Sequence, residues 1–549
     1  MVSLALKIIL TVYFIGLFFF SFDLNAYSQQ ASEYLKVPDF SDDERIRVIV
    51  ELDQDFVPEG QLLPEGLLLQ RHRIFSSQDS LLKLLKKIEA QNVIRYYTVP
   101  FLAMDIFSND LKALAAVQGV RSVRLDSRLE AKMNEAAGIT GVKTVQEKGF
   151  TGKGWSVAVL DTGVNKNHIF LKGKVNADLE ICILYDLGCP NGSDLQLGPG
   201  AARDYNGHGT HVAGIAVGSA DIEYGGHYFS GTAPDAELIA MRIIDERNAG
   251  WISETVAALE LTLLINQWGL SRVAAVNLSI GNNSYYRNYC DEKYPLLAAI
   301  IDNLYSNDIP VVVSTGNERA GLPWYRIRVG DPTRGLSAPA CIRNAVAVGA
   351  TTKDDFIAHY SNHNHMVDLL APGTDIFSAS FNLFSPFIRL SGTSMAAPQV
   401  AGAFALLKSA MPSASVEQML DALKQTGINI NKDQSGLILE SKPRIRTDLA
   451  IEKIRNLQKT TADCIFNGLE NDFPQYLAPA QMPTHDVVEY IYRCYEMTNT
   501  CLGVYSGPDP EFFDQVLYLG PLTDNKVVPI FSVPGASGLF NCPPTNVQR

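Results

Sequence analysis

The sequence has no excess of positive charge, no internal repeat and no low-complexity tract. Its net charge of −13 at pH 7 argues against nucleic acid as a partner and is typical of a soluble acidic protein. No segment reaches the roughly 18 apolar residues expected of a membrane-spanning helix, so no stable membrane span is predicted. What remains is a chain of 549 residues, which is long enough for three or more globular domains.

The first residues resemble an export signal. Lys7 precedes an apolar run from Ile8 to Phe22, and small residues follow at Ala26-Tyr27-Ser28. This order is typical of a signal peptide and its cleavage site, so residues 1–28 are predicted to be removed and the mature protein to be secreted or periplasmic. The alternative is an uncleaved membrane anchor, although the apolar run is short for a membrane-spanning helix.

The eight cysteines are an even number, which suits an oxidising compartment. They form three groups along the chain: Cys182 with Cys189, Cys290 with Cys341, and Cys464, Cys494, Cys501 and Cys542 together near the C-terminus. Pairing within each group is the simplest prediction, although the sequence alone does not determine the connectivity. None of the cysteines lies in the three motifs described next.

Three short motifs contain the residue types that nucleophilic catalysis requires. They are VLDTG around Asp161, NGHGTH around His208 and GTSMAAP around Ser394, the last ahead of a long apolar helix. A serine hydroxyl is a weak nucleophile at neutral pH, so it needs a base to take its proton. The base in turn needs a carboxylate that fixes its tautomer. The chain offers these groups in the order Asp, His, Ser.

Each motif has another explanation when it is taken alone. Asp-Thr-Gly after an apolar run also occurs in aspartic proteases, but those enzymes need a second copy and this chain has one. His208 and His211 could bind a metal, although the two-histidine zinc helix has a different spacing and an adjacent glutamate. A serine that opens a helix is usually just an N-cap. The three motifs together favour catalysis over these alternatives.

The surrounding pattern predicts how the motifs come together. Short apolar runs read as buried strands, and helical stretches separate most of them: Trp155 to Leu160, Leu238 to Ile243, Val273 to Leu278, Ile309 to Val313 and Ala345 to Val348. This alternation predicts an α/β fold with a doubly wound, mostly parallel sheet. In such sheets ligands bind beyond the carboxyl ends of the strands. Asp161 and the segments 279–281 and 314–317 each follow directly on a run, so we expect them along one edge.

The three motifs, with their order and flanking residues, resemble those of the subtilisin-like serine proteases (subtilases, peptidase family S8). The resemblance covers roughly Ala136 to Arg455. It implies a serine endopeptidase that acts on protein or peptide substrates through an acyl-enzyme intermediate. Ser394 would be the nucleophile, His208 the general base, and Asp161 the carboxylate that orients the imidazole.

The resemblance also suggests residues that hold the substrate. Asn317, after the predicted strand Ile309 to Val313, would donate to the oxyanion, although a Gly-Asn pair is also common in turns. The segment Ser279, Ile280 and Gly281 resembles the backbone that pairs with extended substrate. The segment Ser314, Thr315 and Gly316 resembles the facing wall, where the family more often has Ala-Ala-Gly. The two extra hydroxyls predict a more polar wall.

Upstream of the motifs the pattern is different. Arg45 to Leu52 alternates like a half-buried strand, and Ser77 to Ile88 has leucines at helical spacing. Two strands, a helix and a last strand follow: Val93 to Val99, Leu102 to Phe107, Asp110 to Val117 and Val120 to Leu125. This order predicts a ferredoxin-like α+β unit and resembles the subtilase propeptide, which inhibits the enzyme and is later removed.

The predicted domains follow from these segments. They are a propeptide at residues 33–132, a catalytic domain at 133–458 and a small Cys-containing C-terminal domain at 460–549. The propeptide junction is expected in the polar stretch between Asp126 and Ala137. A permanent N-terminal domain is the alternative to a propeptide. The C-terminal segment matches no family, and its role is left open.

No cofactor is predicted. Calcium is common among subtilases, but no Asp-rich loop with recognisable ligand spacing occurs here, so a structural calcium ion is left open. His359, His363 and His365 cluster in one loop, where solvent exposure is a simpler explanation than a metal site. A catalytically silent subtilase fold used for binding is the alternative from another functional class, and the complete Asp, His, Ser set weighs against it.

Overall fold

The computed structural model describes residues 44–85, 88–131, 140–185, 188–219, 222–224, 227–282, 284–319, 335–381 and 385–456, together with short strands between residues 491 and 541. The chain divides into two compact units, Met1–Ile451 and Glu452–Arg549. The predicted start of the C-terminal domain at residue 460 therefore lies a few residues after the boundary between the units. The predicted signal peptide, residues 1–28, lies outside the described residues.

The first described elements of the first unit include a four-stranded antiparallel sheet. Its elements are β1 Arg45–Leu52, α1 Pro64–Leu84, β2 Gln91–Arg95, β3 Phe101–Phe107, α2 Leu111–Ala115 and β4 Val120–Leu125. The strand order is β2-β3-β1-β4. The elements thus follow the strand, helix, strand, strand, helix, strand order read from the sequence.

Helix α1 corrects the predicted helix Ser77 to Ile88, because it starts much earlier and ends at Leu84. The first half of α1 buries polar side chains, so no apolar periodicity marks it. Arg71 pairs with Glu59 at 2.6 Å, and Gln70 binds the backbone of Val57. Pro64 opens the helix, where its missing N–H has no partner to lose.

The core of the first unit is a ten-stranded sheet. Its strands are β6 Ser156–Asp161, β7 Ile181–Ile183, β8 Leu195–Leu197, β11 Glu237–Arg242, β13 Val273–Leu278, β16 Val311–Ser314, β18 Val346–Thr351, β19 Leu369–Pro372, β22 Ile428–Lys432 and β23 Ile438–Arg444. The order is β22-β23-β19-β18-β16-β13-β6-β11-β7-β8. All neighbours from β23 to β7 are parallel, and one antiparallel strand lies at each end. The prediction of a mostly parallel sheet is confirmed.

Within the described residues, the sheet is accompanied by the helices α3 Val142–Glu147, α4 His208–Val217, α5 Ile252–Gln267, α6 Pro295–Ser306, α7 Thr393–Ala410 and α8 Val416–Thr426. The chain moves in one direction along the sheet from β6 to β11 and in the other from β11 through β13 to β16. Right-handed crossovers therefore put α4 on one face and α5 and α6 on the other. Consistent with this, α4 packs against α7, and α5 packs against α6.

The strands predicted in the large sheet lie within two or three residues of the observed ones, whereas the upstream strand predicted to end at Val99 ends at Arg95. The strand predicted from Ile309 begins at Val311, because Pro310 has no N–H to donate to the sheet. Residues 447–456 form a further helical stretch. None of the helices in the described ranges is long and apolar enough to cross a membrane.

Short strands complete the first unit. They are β5 Arg128–Ala131, β9 Ile222–Tyr224, β10 His227–Phe229, β12 Gly250–Trp251, β14 Ile280–Gly281, β15 Tyr285–Tyr286, β17 Leu336–Ser337, β20 Ile376–Ala379 and β21 Phe387–Leu390. Strand β5 is the middle strand of a three-stranded antiparallel sheet with β12 and β14. The stretch expected as a polar junction therefore contains a paired strand.

The described strands of the second unit form an antiparallel sheet, in which consecutive strands are neighbours. They are β24 Ile491–Tyr495, β25 Thr500–Val504, β26 Val516–Thr523, β27 Lys526–Pro529 and β28 Phe540–Asn541. Disulfides join Cys182 to Cys189 and Cys290 to Cys341 in the first unit, which confirms both predicted pairs. The predicted bridges among the other four cysteines involve side chains outside the described residues.

Candidate active site

The predicted site residues lie at one edge of the large sheet. Asp161 is the last residue of β6, Ser279 directly follows β13, and Asn317 follows β16. Because these three strands are parallel neighbours, their carboxyl ends meet at the same edge. His208 is the first residue of α4 and Ser394 lies in the first turn of α7, and these two helices pack against each other.

Asp161 and His208 are in direct contact. Oδ1 of Asp161 lies 2.8 Å from Nδ1 of His208, and neither side chain is exposed. The amide of Thr162 also donates to Oδ1 of Asp161, at 2.7 Å. Only glycine fits at position 209, because a Cβ atom there would lie 2.2 Å from the carbonyl oxygen of Gly163. This close approach brings the start of α4 against the end of β6.

Ser394 is fixed by a reciprocal pair of hydrogen bonds with Ser279. The Ser394 hydroxyl donates to the Ser279 carbonyl at 3.0 Å, and the Ser279 hydroxyl donates to the Ser394 carbonyl at 2.9 Å. The Ser279 hydroxyl in turn accepts from Nδ2 of Asn277 at 2.9 Å. Both serines are fully buried. The nucleophile candidate is therefore anchored to the end of β13, next to the segment predicted to pair with substrate.

Asn317 is held through its oxygen and keeps its amide N–H groups available. Its Oδ1 accepts from both the backbone N and the hydroxyl of Thr393, each at 2.9 Å. Its Nδ2 is buried and has no hydrogen-bond partner within the described part of the chain. Because Thr393 directly precedes Ser394, this arrangement puts an unused donor beside the serine. A buried donor without a partner is costly and calls for a ligand acceptor.

The two segments that were predicted to form substrate walls both lie among the described residues. On one side, Ile280 and Gly281 pair with Ala131 and Glu130 of β5. On the other, Gly316 has a φ of +106°, and a Cβ atom there would lie 2.5 Å from Oε2 of Glu318. Only glycine therefore suits this wall.

The extra hydroxyls of the second wall do not contribute equally to its polarity. The Thr315 hydroxyl donates to the Asn362 carbonyl at 3.1 Å, so it is already engaged. The Ser314 hydroxyl is buried and has no partner within the described ranges. Of the two, Ser314 is the hydroxyl left to make this wall more polar than Ala-Ala-Gly.

His211 and His168 make structural contacts. His211 is buried, and a ring nitrogen, Nε2, lies 3.1 Å from the Ile376 carbonyl. Burial lowers the pKa of His211 to about 3, so its ring is neutral. His168 has its Nε2 against the carbonyl of Pro386 and accepts from the amide of Phe170 at 3.1 Å.

The three histidines considered as a metal site have separate partners. His359 contacts Gln434 through Nδ1 at 3.0 Å, His363 contacts the Glu440 carbonyl through Nε2 at 2.7 Å, and the His365 ring lies against Tyr289. Among the described residues, no group of three or more His, Cys, Asp or Glu side chains is arranged to hold a metal ion.

Two residues that help to shape the candidate site were not predicted from the sequence. Asp204 is a buried carboxylate ahead of His208, and Thr393 holds Asn317. Both lie within or beside the quoted motifs, and the short polar side chains flanking His208 and Ser394 were the available signal. Strand β5 was also missed as a strand that reaches the site.

Comparisons with known proteins identify the family of the chain. The model of the subtilase family matches residues 152–459. The chain is 29% identical over 359 residues to an alkaline protease of Alkalihalobacillus alcalophilus, covering 64% of this chain and 81% of that protein. It is 31% identical over 306 residues to subtilisin Savinase of Lederbergia lenta, covering 54% and 95%. It is 34% identical over 275 residues to the major intracellular serine protease of Bacillus subtilis, covering 49% and 74%. The chain belongs to the subtilase family and is a serine-type endopeptidase.

Proposed function

We propose that the chain is an exported serine endopeptidase, made as a self-processing zymogen, in which Ser394, His208 and Asp161 form the catalytic triad. The observation that carries this proposal is the 2.8 Å contact between Asp161 and His208 in a fully buried setting. A buried carboxylate bound to Nδ1 fixes the imidazole tautomer, which leaves Nε2 as the base. The neighbouring helix α7 brings Ser394 to the same edge of the sheet.

The reaction follows from these roles. The Ser394 Oγ attacks the peptide carbonyl carbon while His208 takes the hydroxyl proton, which forms a tetrahedral oxyanion and an imidazolium. The imidazolium then gives its proton to the leaving amine, the C–N bond breaks, and an acyl-enzyme remains. A water molecule then hydrolyses the acyl-enzyme in the same way. His208 takes a proton from the water while its oxygen adds to the acyl carbon, and the imidazolium then returns this proton to the Ser394 Oγ as the bond to the acyl group breaks. No cofactor takes part in these steps.

The oxyanion is assigned to Asn317 and the Ser394 backbone N–H. The assignment is supported by the unpartnered Nδ2 of Asn317. It is also supported by the two hydrogen bonds that Thr393 donates to Oδ1, because they prevent the amide group from rotating by 180°. Ser394 lies in the first turn of α7, where the helix dipole also favours negative charge. Donors that are already in position stabilise the charge that develops in the transition state.

The substrate is a protein or peptide in an extended conformation. Strand β14, preceded by Ser279, supplies the backbone of one wall, with Ser314, Thr315 and Gly316 opposite. The support is the position of β5, which pairs with β14 on one side and with β12 on the other. An extended segment of this same chain thus lies in the gap that a substrate strand requires.

The role of residues 33–132 as an inhibitory propeptide rests on the same strand. The predicted boundary between residues 132 and 133 lies one residue beyond Ala131, the last residue of β5 that pairs with β14. The four-stranded sheet that precedes β5 also docks on α5 and α6. Arg47 donates to Ser253 at 2.8 Å, and Thr98 donates to Glu260 at 2.7 Å. The N-terminal sheet thereby holds β5 against the candidate site.

Export rests on the apolar run and small residues within positions 1–28. The relatives do not agree on the compartment, since they include an extracellular serine proteinase of a Thermus strain and an intracellular serine protease of Paenibacillus polymyxa. Two disulfides in the first unit favour an oxidising compartment.

The test uses the full chain, Ser394→Ala, and Ser409→Ala as a matched control on the same helix. Wild type and the control should hydrolyse a denatured protein, react with a fluorophosphonate at Ser394, and cut themselves so that sequencing finds an N-terminus near Met133. The Ser394→Ala protein should do none of these and should stay full length apart from the signal. Hydrolysis by purified Ser394→Ala protein would defeat the triad assignment. Mature wild type that still begins near Gln29 would defeat the zymogen assignment.

A further inference from the structure

Asp204 lies four residues before His208 on the loop that leads into α4, and the triad chemistry gives it no part. Its side chain is buried, with 2% of the residue exposed. We propose that Asp204 is a positioning residue that locks His208 in place relative to Asp161 and adds a second negative charge behind the triad. This inference rests on the proposed function of Asp161, His208 and Ser394.

The Asp204 carboxylate is the hub of the loop. Its Oδ1 accepts from the amides of Asn206 and Gly207, each at 2.9 Å, and from the Thr162 hydroxyl at 3.0 Å. Its Oδ2 accepts from the amide of Thr210 at 3.1 Å and from the Thr210 hydroxyl. These donors lie on both sides of His208 in sequence. The carboxylate therefore fixes the backbone into and out of the histidine.

Thr162 connects this hub to the triad carboxylate. Its amide donates to Oδ1 of Asp161 at 2.7 Å, and its hydroxyl donates to Asp204. The same hydroxyl accepts from the amide of Gly209 at 2.9 Å. One residue thus binds the end of β6, the hub carboxylate and the first turn of α4. A shift of Asp204 would move His208 relative to Asp161.

The charges around the imidazole make Asp204 electrostatically relevant. Burial raises the pKa of Asp204, and the negative charge of the nearby Asp161 raises it further. The hydrogen bonds from Thr210 and from the loop amides act the other way and favour the carboxylate. His211 is neutral, and Arg242 on β11 is paired with Glu246 at 2.5 Å. A second carboxylate near His208 favours the imidazolium form.

Asp204→Asn separates these effects from a general loss of folding. The substitution keeps the shape, removes the charge and replaces one acceptor oxygen with a donor. We expect turnover on a short peptide to fall by roughly 10- to 100-fold with KM nearly unchanged, because small misplacements of a catalytic group cost up to about that much. The acid limb of the kcat/KM profile should also move to lower pH, because the imidazolium loses a neighbouring negative charge.

Thr162→Val tests the positioning role without touching the charge. It removes the hydroxyl that joins Gly209 to Asp204. We expect turnover to fall with KM kept, while the acid limb stays where it is in wild type. Asp302→Asn is the matched control, because Asp302 is a partly buried carboxylate on α6 that accepts from Asn344 at 2.8 Å. It should leave turnover and the acid limb within experimental error.

The outcomes are distinguishable. A wild-type protein without activity would end the proposed function itself. An active wild type whose Asp204→Asn variant keeps normal turnover, or loses turnover with an unmoved acid limb, would overturn the inference about Asp204. Active-site titration counts the competent molecules, so a poorly folding variant is not mistaken for a slow one. If Asp204→Asn does not fold, Thr162→Val decides alone, and normal turnover in that variant overturns the inference.

Discussion

Asp161 and His208 meet through Oδ1 and Nδ1 at 2.8 Å, and both side chains are completely buried. Burial removes water as a competitor for either partner, so the contact fixes the ring orientation and the position of its proton. It also ties β6 to the first residue of α4, two elements separated by 47 positions in sequence. The fold thus brings a strand end and a helix start into direct contact.

This contact predicts a large effect of Asp161→Asn. The amide would stabilise the wrong tautomer and could not stabilise the imidazolium, so turnover should fall by roughly 10⁴-fold. In an Asp161→Asn and Ser394→Ala double variant the loss should equal that of Ser394→Ala alone, because the triad acts as a unit. Steady-state kinetics on a chromogenic peptide measure both. Additive losses in the double variant would show that the two residues act separately.

Asn317→Asp tests the proposed oxyanion donor and keeps the contact with Thr393. The aspartate can still accept from the Thr393 amide and hydroxyl, but it has no N–H to donate and it adds negative charge. We expect turnover to fall by roughly 10²- to 10³-fold or more with little change in KM, because the donor acts mainly on the transition state. Asn344→Asp, at a site that binds Asp302, is the control. A rise in KM with normal turnover would assign Asn317 to substrate binding instead.

Much of the fold could be predicted because buried parallel strands have contiguous apolar runs. Runs such as Val273–Leu278 appear in the structure at the predicted positions. Helix α1 could not be bounded in this way, since its first half buries Gln70 and Arg71 rather than an apolar face. Strand β5 has the sequence RLEA, with no run at all, and is a strand only because β12 and β14 lie on both sides.

In the candidate site, too, some residues could be predicted from the sequence and others could not. Local motifs singled out Asp161, His208 and Ser394, because these are the residue types that nucleophilic catalysis requires. The role of Asp204 depends on partners as far as 42 positions away, and the grip of Thr393 on Asn317 spans 76. Such contacts exist only once the chain is folded, so short sequence patterns do not reveal them.

Asp126 predicts a pH dependence of precursor stability. Its buried carboxyl contacts Arg47 at 3.3 Å and the Ser253 amide at 3.2 Å, and burial raises its pKa from 3.8 to about 6. Because the folded-state pKa is raised, the stabilisation that this group contributes is complete below about pH 4 and is lost as the pH rises through about 6.

The measurement uses the Ser394→Ala precursor, which cannot process itself. The melting temperature of this protein minus that of its Asp126→Asn derivative should decrease between about pH 4 and about pH 7. Ser409→Ala, which removes no ionisable group, should give a flat difference over the same range. A difference that grows with pH would mean that the ion pair with Arg47 outweighs the cost of burial.

The two disulfides should differ in their contribution to stability. Their cysteines are similarly buried, but the bridge Cys290–Cys341 spans 51 positions and the bridge Cys182–Cys189 spans 7. Loop-closure entropy predicts that replacing the longer pair by serine costs about 2 kcal/mol more than replacing the shorter pair. Denaturant unfolding of the two double-serine variants in the Ser394→Ala background measures this directly. Equal losses would show that native-state packing around each bridge, rather than the unfolded chain, sets its value.

Strand β5 lies between β12 and β14 and belongs to the same chain as both. It is therefore present at an effective concentration on the order of millimolar, however dilute the precursor is. Under the proposed self-processing, an outside peptide has to compete with that value until the covalent link after β5 is cut. Once the link is cut, the concentration of the strand at the site is no higher than the concentration of the cleaved segment in solution. Self-cleavage should accordingly be first order in precursor, whereas relief from inhibition afterwards should improve with dilution.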